Sequence, residues 1–466
     1  MSEHTLVAAT RVAEILRLHG YDAYVVGGAV RDMYLGRQPK DFDIATSATP
    51  AQLMQLPEFD APKYSDTSQA YGVTRVRLVH EGVPIEVEVA TFRKDIEAHK
   101  GRKYTKVEYA TLEEDVLRRD LTINALAFDP STDQIIDFVG GLEDLDAGIV
   151  RFIGDAAARI KEDPLRVMRV IRFKNHLGFR YDDATKVALS RAVARGVIEE
   201  IAVDRLRDEL TRLLIHTSRR QSFEDLDRFG ILEQVLPEVT AGRGVMQPPE
   251  FHAEGDVWRH ELLVLDYLPA HPSRRLAWAA LLHDIGKPPT FMPALPGDRI
   301  RFNRHYAIGA EMAKTILRRL RFSKRDTRDI YWMIYHHMAI DDLPDMRPSH
   351  QRQMLDHEAF KDLLELHRAD AGASWRPGKS HAKPQFEAIE KLWRAHRAKA
   401  APERQPSLKR DLGIDGNWVR RTLGDDSRLT GPMIGRILNE LSGLYLDEGI
   451  SDERVYERRA RQLLGG

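Results

Sequence analysis

Asp41 and Asp43 flank Phe42 in a stretch where Phe42 and Ile44 alternate with them. That two-residue period reads as a half-buried strand, and residues two apart on a strand face the same side, so both carboxylates project together. Like charges held that close are costly unless a cation bridges them. An oxygen-only pair suits Mg²⁺, which keeps waters and completes its shell with substrate phosphates. Two such ions can activate a hydroxyl and stabilise a leaving pyrophosphate. A solvated strand face is the alternative for an isolated Asp-x-Asp.

This pair follows a second feature. Val25-Val26-Gly27-Gly28-Ala29-Val30-Arg31-Asp32 reads as strand, tight turn and helix start. Glycines let a backbone approach a ligand closely, and a helix start offers unpaired N–H groups to an anion. Arg31, one turn in, can reach a triphosphate. Most Gly-Gly turns are purely structural, and the nearby carboxylates are what give this one a chemical reading. Within Ile85–Val89, Glu86 and Glu88 share the face opposite the valines. Glu88 is the favoured third metal carboxylate, with an exposed strand edge as the alternative, above all for Glu86. Farther on, Arg119 and Asp120 can hold phosphate and ribose hydroxyl, with Asn124 a further polar contact; a helix-surface salt bridge is the plainer reading.

A different chemistry recurs downstream. His260 precedes His283-Asp284, which ends the apolar run Leu276–Leu282, and His305, His336, His337 and Asp370 offer further ligands. Neutral imidazoles with carboxylates suit a transition metal better than Mg²⁺ alone. Against this, the chain has 18 histidines, and a single histidine on an apolar helix is more often packed than ligating.

The elements that must position these groups change character along the chain. Val7–Leu18 has a helical apolar pattern stopped by Gly20. Tyr21–Val26, Val73–Val79 and Ile85–Val89 read as strands, and Ile123–Phe128 is apolar-rich. Beyond Asp155 strand signals nearly vanish. Amphipathic helices follow over Asp163–His176, Ala184–Arg195, Val203–Ile215, Ser222–Phe229 and His260–Leu268, with breaks at Pro237–Pro249, Lys287–Gly297, Pro344–Pro348 and Ala400–Pro406. The fold class is α+β: a mixed head at 1–145, then helical segments at 146–245, 246–390 and 391–466. At 466 residues the chain exceeds a single compact core.

The chain contains no cysteine, which excludes disulfides, zinc–thiolate sites and thiol nucleophiles. Its first twenty residues carry charges among the apolar ones and read as an amphipathic helix rather than a signal peptide, and no apolar run approaches a bilayer span. The expected setting is cytoplasmic, without a membrane. A net charge of −1 gives no global attraction to a polyanion, but residues 159–220 hold 15 Lys and Arg against 9 Asp and Glu. That local excess suits either a solvated helix face or nucleic-acid contact.

Gly27–Asp32, Asp41-Phe42-Asp43-Ile44-Ala45-Thr46, Arg118–Ala125 and Glu162-Asp163-Pro164-Leu165-Arg166 occur in this order. Together they resemble the signature set of class II tRNA nucleotidyltransferases, the CCA-adding enzymes and their poly(A) polymerase relatives. The resemblance covers most of the chain. It implies a polymerase-β-like head followed by a helical neck, body and tail, with tRNA, CTP, ATP and Mg²⁺ as partners. Leu412–Gly416 and Gly431–Leu438 resemble tail helices of the same family, and the chain ends without the long basic extension of many bacterial poly(A) polymerases.

The resemblance also gives Asp163 and Arg166 a role. If Glu162–Arg166 begins a helix, these two residues, three apart, lie on one face. Cytosine and adenine both present an exocyclic amine donor beside a ring-nitrogen acceptor. A carboxylate accepts from the amine and a guanidinium donates to the nitrogen. Uracil and guanine invert the pattern and leave charged groups mispaired, at about 1–3 kcal/mol each. Without the family context the pair is a capping acid and an ion pair. Arg169 and Arg172 extend a basic stripe suited to an acceptor stem.

Between the head strands and Arg118 the family carries a loop that helps to switch from C to A addition. Here Lys100-Gly101-Arg102-Lys103-Tyr104 departs from the usual residues at full length, which disfavours an enzyme adding only C and weakens the case for the A step. His260, His283, Asp284 and Asp370 resemble the histidine–aspartate (HD) metal-phosphohydrolase motif, which some CCA-adding enzymes carry with phosphatase or cyclic phosphodiesterase activity. The alternatives are a poly(A) polymerase or a partial CC- or A-adding enzyme on the same scaffold, and an HD phosphohydrolase whose head only binds RNA.

Overall fold

A computed structural model describes the chain except for residues 1, 60–71, 81–82, 98–105, 295, 376–382, 400–407, 425, 449, 451 and 466. The Lys100–Tyr104 segment and the break at Ala400–Pro406 lie outside the described residues. The chain divides into two compact units, Met1–Pro237 and Glu238–Gly466.

The first unit is built on a six-stranded mixed sheet. Its strands are β1 (Ala23–Val26), β2 (Asp43–Thr46), β3 (Val73–His80), β4 (Val83–Thr91), β7 (Ala127–Asp129) and β8 (Gln134–Ile136), in the order β3-β4-β2-β1-β7-β8. Strands β5 (Arg93–Glu97) and β6 (Lys106–Tyr109) form a separate antiparallel ribbon. β1 runs antiparallel to β2 and β7, whereas β2 and β4 are parallel. Central strands need apolar residues on the covered face, and Val25, Ile44, Val87 and Val89 are buried there against Ala8, Val12 and Leu16 of the helix Ser2–Leu18. Helices Arg166–Leu177, Asp183–Ala194, Val203–Ile215 and Arg219–Arg228 complete this unit.

One expectation fails here. Glu162–Arg166 does not begin a helix: Glu162 closes the helix Ala156–Glu162, Asp163 is extended at φ −141° and ψ 102°, and the next helix starts at Arg166. Proline clashes with a helical preceding residue, so Pro164 pushes Asp163 out of the α region. Asp163 and Arg166 therefore do not share a helix face.

The second unit is predominantly helical. The helix Val257–Tyr267 packs with Arg274–Leu282 and Phe360–Ala373, and His305–Arg319 packs with Lys324–His336. Toward the C-terminus, Gly416–Leu423, Gly431–Glu448 and Glu453–Gly465 enclose a small core with Val419, Ile437, Leu441 and Tyr456 fully buried. Among the described residues no helix is long and apolar enough to cross a membrane.

Candidate active site and metal centre

In the first unit, Asp43 opens β2, and Asp41 lies two residues earlier, just outside the strand. Both aspartates are exposed, whereas Phe42 and Ile44 are buried. The parallel register sets Glu88 of β4 directly opposite Asp43. The register brings Glu88 beside Asp43, Asp41 is close enough for its charge to be felt, and the result is legible in Asp43, whose carboxyl is pushed up to about 6. Its dense surroundings contribute most, then the negative charges of Asp41 and Glu88, while Arg119 pulls the other way. An acid destabilised by like-charged neighbours at an accessible strand end is a fit donor set for a divalent cation. Glu88 also accepts from Arg75 Nε and Nη2 at 2.9 and 2.7 Å. Glu86 faces Arg77 across β3, one step farther along the ladder from Asp43.

The glycine turn sits beside this edge. Gly27 has φ +79° and ψ −137°, a conformation that L-residues with a Cβ rarely adopt. A Cβ there would stand 3.3 Å from Arg119 Nη1. Arg31, one turn into the helix Gly28–Tyr34, is buried and donates to Asp32 through Nε and Nη2 and to Asn124 Oδ1 through Nη1. The guanidinium groups of Arg31, Arg169 and Arg172 stand 5.3, 5.5 and 4.3 Å from the ring of Phe173. This positive basin is felt by His176, pushed down to about 3 by burial first, then by its stacked neighbour His216 and by Arg172, Lys40 and Arg31.

Sequence reasoning missed Asp115. Its side chain is almost wholly buried and takes Arg118 on Oδ1 at 2.6 Å and Arg119 on Oδ2 at 3.1 Å, fixing both arginines at the end of the helix Leu112–Leu117. An acid three and four residues before an Arg-Arg pair was the available signal.

Two other expected contacts are redirected. Asp120 accepts from Arg169 Nε at 2.6 Å and from the Leu121 backbone, so it ties the head to the helix Arg166–Leu177 instead of standing open to a ribose. Arg172 donates to Glu209 at 2.7 Å. Of the expected stripe, Arg172 is thus turned mostly inward, whereas the Arg169 side chain remains about one-third exposed at 32%.

Asp163 is held bidentately by Arg205, with Nη1 to Oδ1 at 3.0 Å and Nη2 to Oδ2 at 2.7 Å. Arg166 is buried and donates to Glu162, to the Arg159 carbonyl and to the Arg118 carbonyl. Each member of the expected base-reading pair has its own clamp, and the two do not bond to each other.

In the second unit, His260, His283, Asp284 and Asp370 come together. His260 Nε2 lies 3.0 Å from Asp370 Oδ1 and 3.6 Å from Asp284 Oδ2, and His283 Nε2 lies 3.2 Å from Asp284 Oδ2. His305 and His337 join them, at 3.5 and 3.8 Å from Asp284 Oδ1. His336, also expected as a possible ligand, instead bonds the Trp332 carbonyl and packs against the Trp332 ring. Adjacent residues at a helix end point in different directions, so only one of the pair can enter the cluster.

Gly286 makes the assembly possible: a Cβ there would meet the His305 carbonyl oxygen at 2.1 Å and the Gly309 nitrogen at 2.6 Å. Its absence lets the His283-Asp284 turn press onto the start of the helix bearing His305.

His252, Glu254, Glu261 and Lys287 were not anticipated. Glu254 bridges His252 and His260 at 2.8 Å each, and Lys287 Nζ stands 2.6 Å from Asp284 Oδ2. Burial alone would lower His260, but Asp370 and Glu254 outweigh it and hold the ring up at about 9. Glu261, fully buried, has its carboxyl raised well above the usual range by burial first and then by the negative charge of Asp284.

Comparison with known proteins bears on both sites. Residues 23–151 match the family described as "Poly A polymerase head domain", residues 178–242 that described as "Probable RNA and SrmB- binding site of polymerase A", and residues 262–369 the "HD domain". The chain is 35% identical to the multifunctional CCA protein of Halorhodospira halophila over 331 residues, covering 69% of this chain and 75% of that protein. With the multifunctional CCA protein of Nitrosospira multiformis the identity is 29% over 423 residues, or 87% and 94% of the two chains. The crystal structure of the Bacillus stearothermophilus CCA-adding enzyme in complex with CTP superposes with a TM-score of 0.66 at 25% identity, over 97% of this chain and 96% of that one. With 35% identity sustained over three quarters of the Halorhodospira halophila protein, the chain belongs to the multifunctional CCA protein family.

Proposed function

We propose that this protein adds C, C and A in turn to the 3′ end of tRNA, using CTP and ATP and releasing pyrophosphate. The observation that carries this reading is the meeting of Asp41, Asp43 and Glu88 at the start of the interior strand β2, beside the Gly27–Arg119 cradle. Asp41 and Asp43, with Glu88, hold Mg²⁺, which when bound lowers the charge barrier to attack of the 3′-hydroxyl on the α-phosphate. Gly27 and Gly28 let the backbone approach the triphosphate, and Arg31 and Arg119 neutralise it. Arg119 stays aimed by Asp115. Asn124 orients Arg31, and Asp120 orients Arg169, so these polar groups serve the substrate through the arginines they fix.

Asp163 and Arg166 select the base. A carboxylate has about four acceptor sites; Arg205 occupies two and the Leu165 backbone N–H a third, which leaves about one, on Oδ2, for an exocyclic amine. Arg166 uses both Nη1 hydrogens and one on Nη2, which leaves two N–H groups to donate to a ring nitrogen. We assign residues 1–145 to the catalytic head, 146–245 to the neck, 246–390 to the HD body and 391–466 to the tail, and the setting to the cytoplasm.

The test is extension of tRNA ending at its discriminator base, with CTP alone, ATP alone and both, followed by sequencing. A finished CCA is expected; an open-ended A run would replace this reading by a poly(A) polymerase. The His260–His283–Asp284–Asp370 cluster supports a second activity, phosphohydrolysis at a transition metal. His283→Ala should remove it and spare CCA addition, and Asp41→Ala should do the reverse.

A further inference from the structure

One buried histidine of the second unit has a ring nitrogen that no hydrogen bond uses. His367 lies on the helix Phe360–Ala373, three residues before Asp370 and so on the same face. The residue is 5% exposed, and its Nε2 is buried without a hydrogen-bond partner. Such a nitrogen is costly to keep, and in a native fold it calls for a reason. Asp341 Oδ1, on the turn Ala339–Asp345, stands 3.4 Å from it, without the alignment of a hydrogen bond. His367 belongs to neither of the groups His260–His283–Asp370 and Asp284–His305–His337, whose ligand atoms lie within 4.8 Å of one another. Yet His367 and Asp341 line the same cavity of about 420 Å³ as Asp284, His305, His337 and Asp370.

Breaking a phosphate ester of an alcohol releases an alkoxide, which departs slowly unless a positioned acid protonates it as the bond breaks. A metal bound at the cluster polarises the phosphoryl group but gives the leaving oxygen no proton. The other side chains on the cavity wall are poor donors. Nδ1 of His305 and of His337 stands 2.9 and 2.6 Å from the carbonyl oxygens of Phe302 and Ile334. A carbonyl only accepts, so the proton sits on Nδ1, and in a neutral ring the inward Nε2 is bare. His252 is tied to Glu254 at 2.8 Å, and Lys287 to Asp284 and Gln247 at 2.6 Å each. The guanidinium of Arg301 holds its protons at any ordinary pH. Among the described residues of this wall, His367 is the imidazole with an unpartnered Nε2.

We propose that His367 is the general acid of the phosphohydrolase, acting on esters whose leaving group is a sugar or other alcohol hydroxyl. The inference rests on the reading of the cluster as a phosphohydrolase. A water oxygen bonds to phosphorus as the ester P–O bond breaks. The proton on His367 Nε2 passes to the departing alcohol oxygen, and the proton lost by the attacking water returns to the ring through the solvent of the cavity. Asp341 offers the protonated ring a counter-charge.

The test compares leaving groups. Full-length protein and His367→Gln, both loaded with Mn²⁺ and desalted, are assayed on p-nitrophenyl phosphate, whose leaving group departs without a proton, and on the 2′-, 3′- and 5′-monophosphates of adenosine. Retained metal is counted by mass spectrometry. His367→Gln should lose about 100-fold or more in kcat on the sugar esters it shares with the parent and less than about 3-fold on p-nitrophenyl phosphate. Its metal content should equal the parent's. Equal losses on both classes, no loss on either, or a drop in retained metal each overturn the acid role. A parent that cleaves p-nitrophenyl phosphate and none of the sugar esters also overturns it, while the phosphohydrolase reading stands. A parent that cleaves neither class overturns both. Should His367→Gln fail to fold, a series of aryl and alkyl phosphates on the parent decides. A kcat/KM that changes little with leaving-group basicity supports the proposal, and a steep fall refutes it.

Discussion

Replacing Asp43 by Asn should make the metal-free protein more stable and the enzyme inactive. The carboxyl is moved from 3.8 to about 6 by its dense surroundings and by Asp41 and Glu88. At full value a shift of that size destabilises the anion by roughly 3 kcal/mol at neutral pH. Asp43 is exposed, however, and solvent screening reduces the usable part to about 1 kcal/mol.

The sign follows from proton counting. Between the unfolded midpoint near 3.8 and the folded one near 6, the native state binds more protons than the unfolded state, so this group's contribution is fully present below the lower value and lost as pH rises through the upper one. Asp43→Asn removes that dependence. At pH 7 without metal its unfolding midpoint should lie about 2–4 °C above the parent, and the gap should close near pH 4. Adding Mg²⁺ should raise the parent's midpoint and leave the variant's nearly unmoved, because a ligand stabilises only the form that binds it. Differential scanning fluorimetry at several pH values and radiolabelled CTP incorporation are the assays. A variant that incorporates CTP at the parental rate, or that melts lower than the parent at pH 7, would refute the reasoning.

Gly27→Ala forces a side chain into φ +79° and against Arg119, so about 1–3 kcal/mol of strain and a raised KM for CTP and ATP are expected in steady-state assays. Asp115→Asn leaves Arg118 and Arg119 without their shared anion; a loss of about 3 kcal/mol by urea unfolding, together with weaker triphosphate binding, should result. Asp163→Asn can turn a donor toward the base, and the preference for CTP over UTP should fall roughly 10- to 100-fold in single-nucleotide extension. Gly286→Ala drives a methyl into the backbone at His305 and Gly309, costing about 3 kcal/mol or more in chemical denaturation and abolishing metal retention at the HD cluster.

The local chemistry was readable from the amino-acid sequence because it depends on short-range periodicity. Alternation around Asp41 and Asp43 left both acids exposed beside the buried Phe42 and Ile44, glycines marked the turn before Arg31, and an apolar helix ran into His283-Asp284. The fold class followed from the same periods, two residues per repeat in the head and a helical repeat afterwards. What needed the tertiary structure was every pairing between distant segments. The β2–β4 register alone sets Glu88 against Asp43, and Glu86 differs from it in sequence by only two positions.

Asp120 was legible as an important acid, but its partner Arg169 lies 49 residues away, and no local pattern names it. Asp163 lies off the helix that its sequence pattern suggests because the constraint from Pro164 acts backward on its neighbour, and its clamp Arg205 arrives on another helix. His337 joins the histidine–aspartate cluster and His336 does not, a choice made by helix rotation and by the close contact that Gly286 permits. Residue type and spacing decide which side chains can do chemistry; long-range packing decides which of them meet, because contact energies between distant segments are fixed only once the chain has closed on itself.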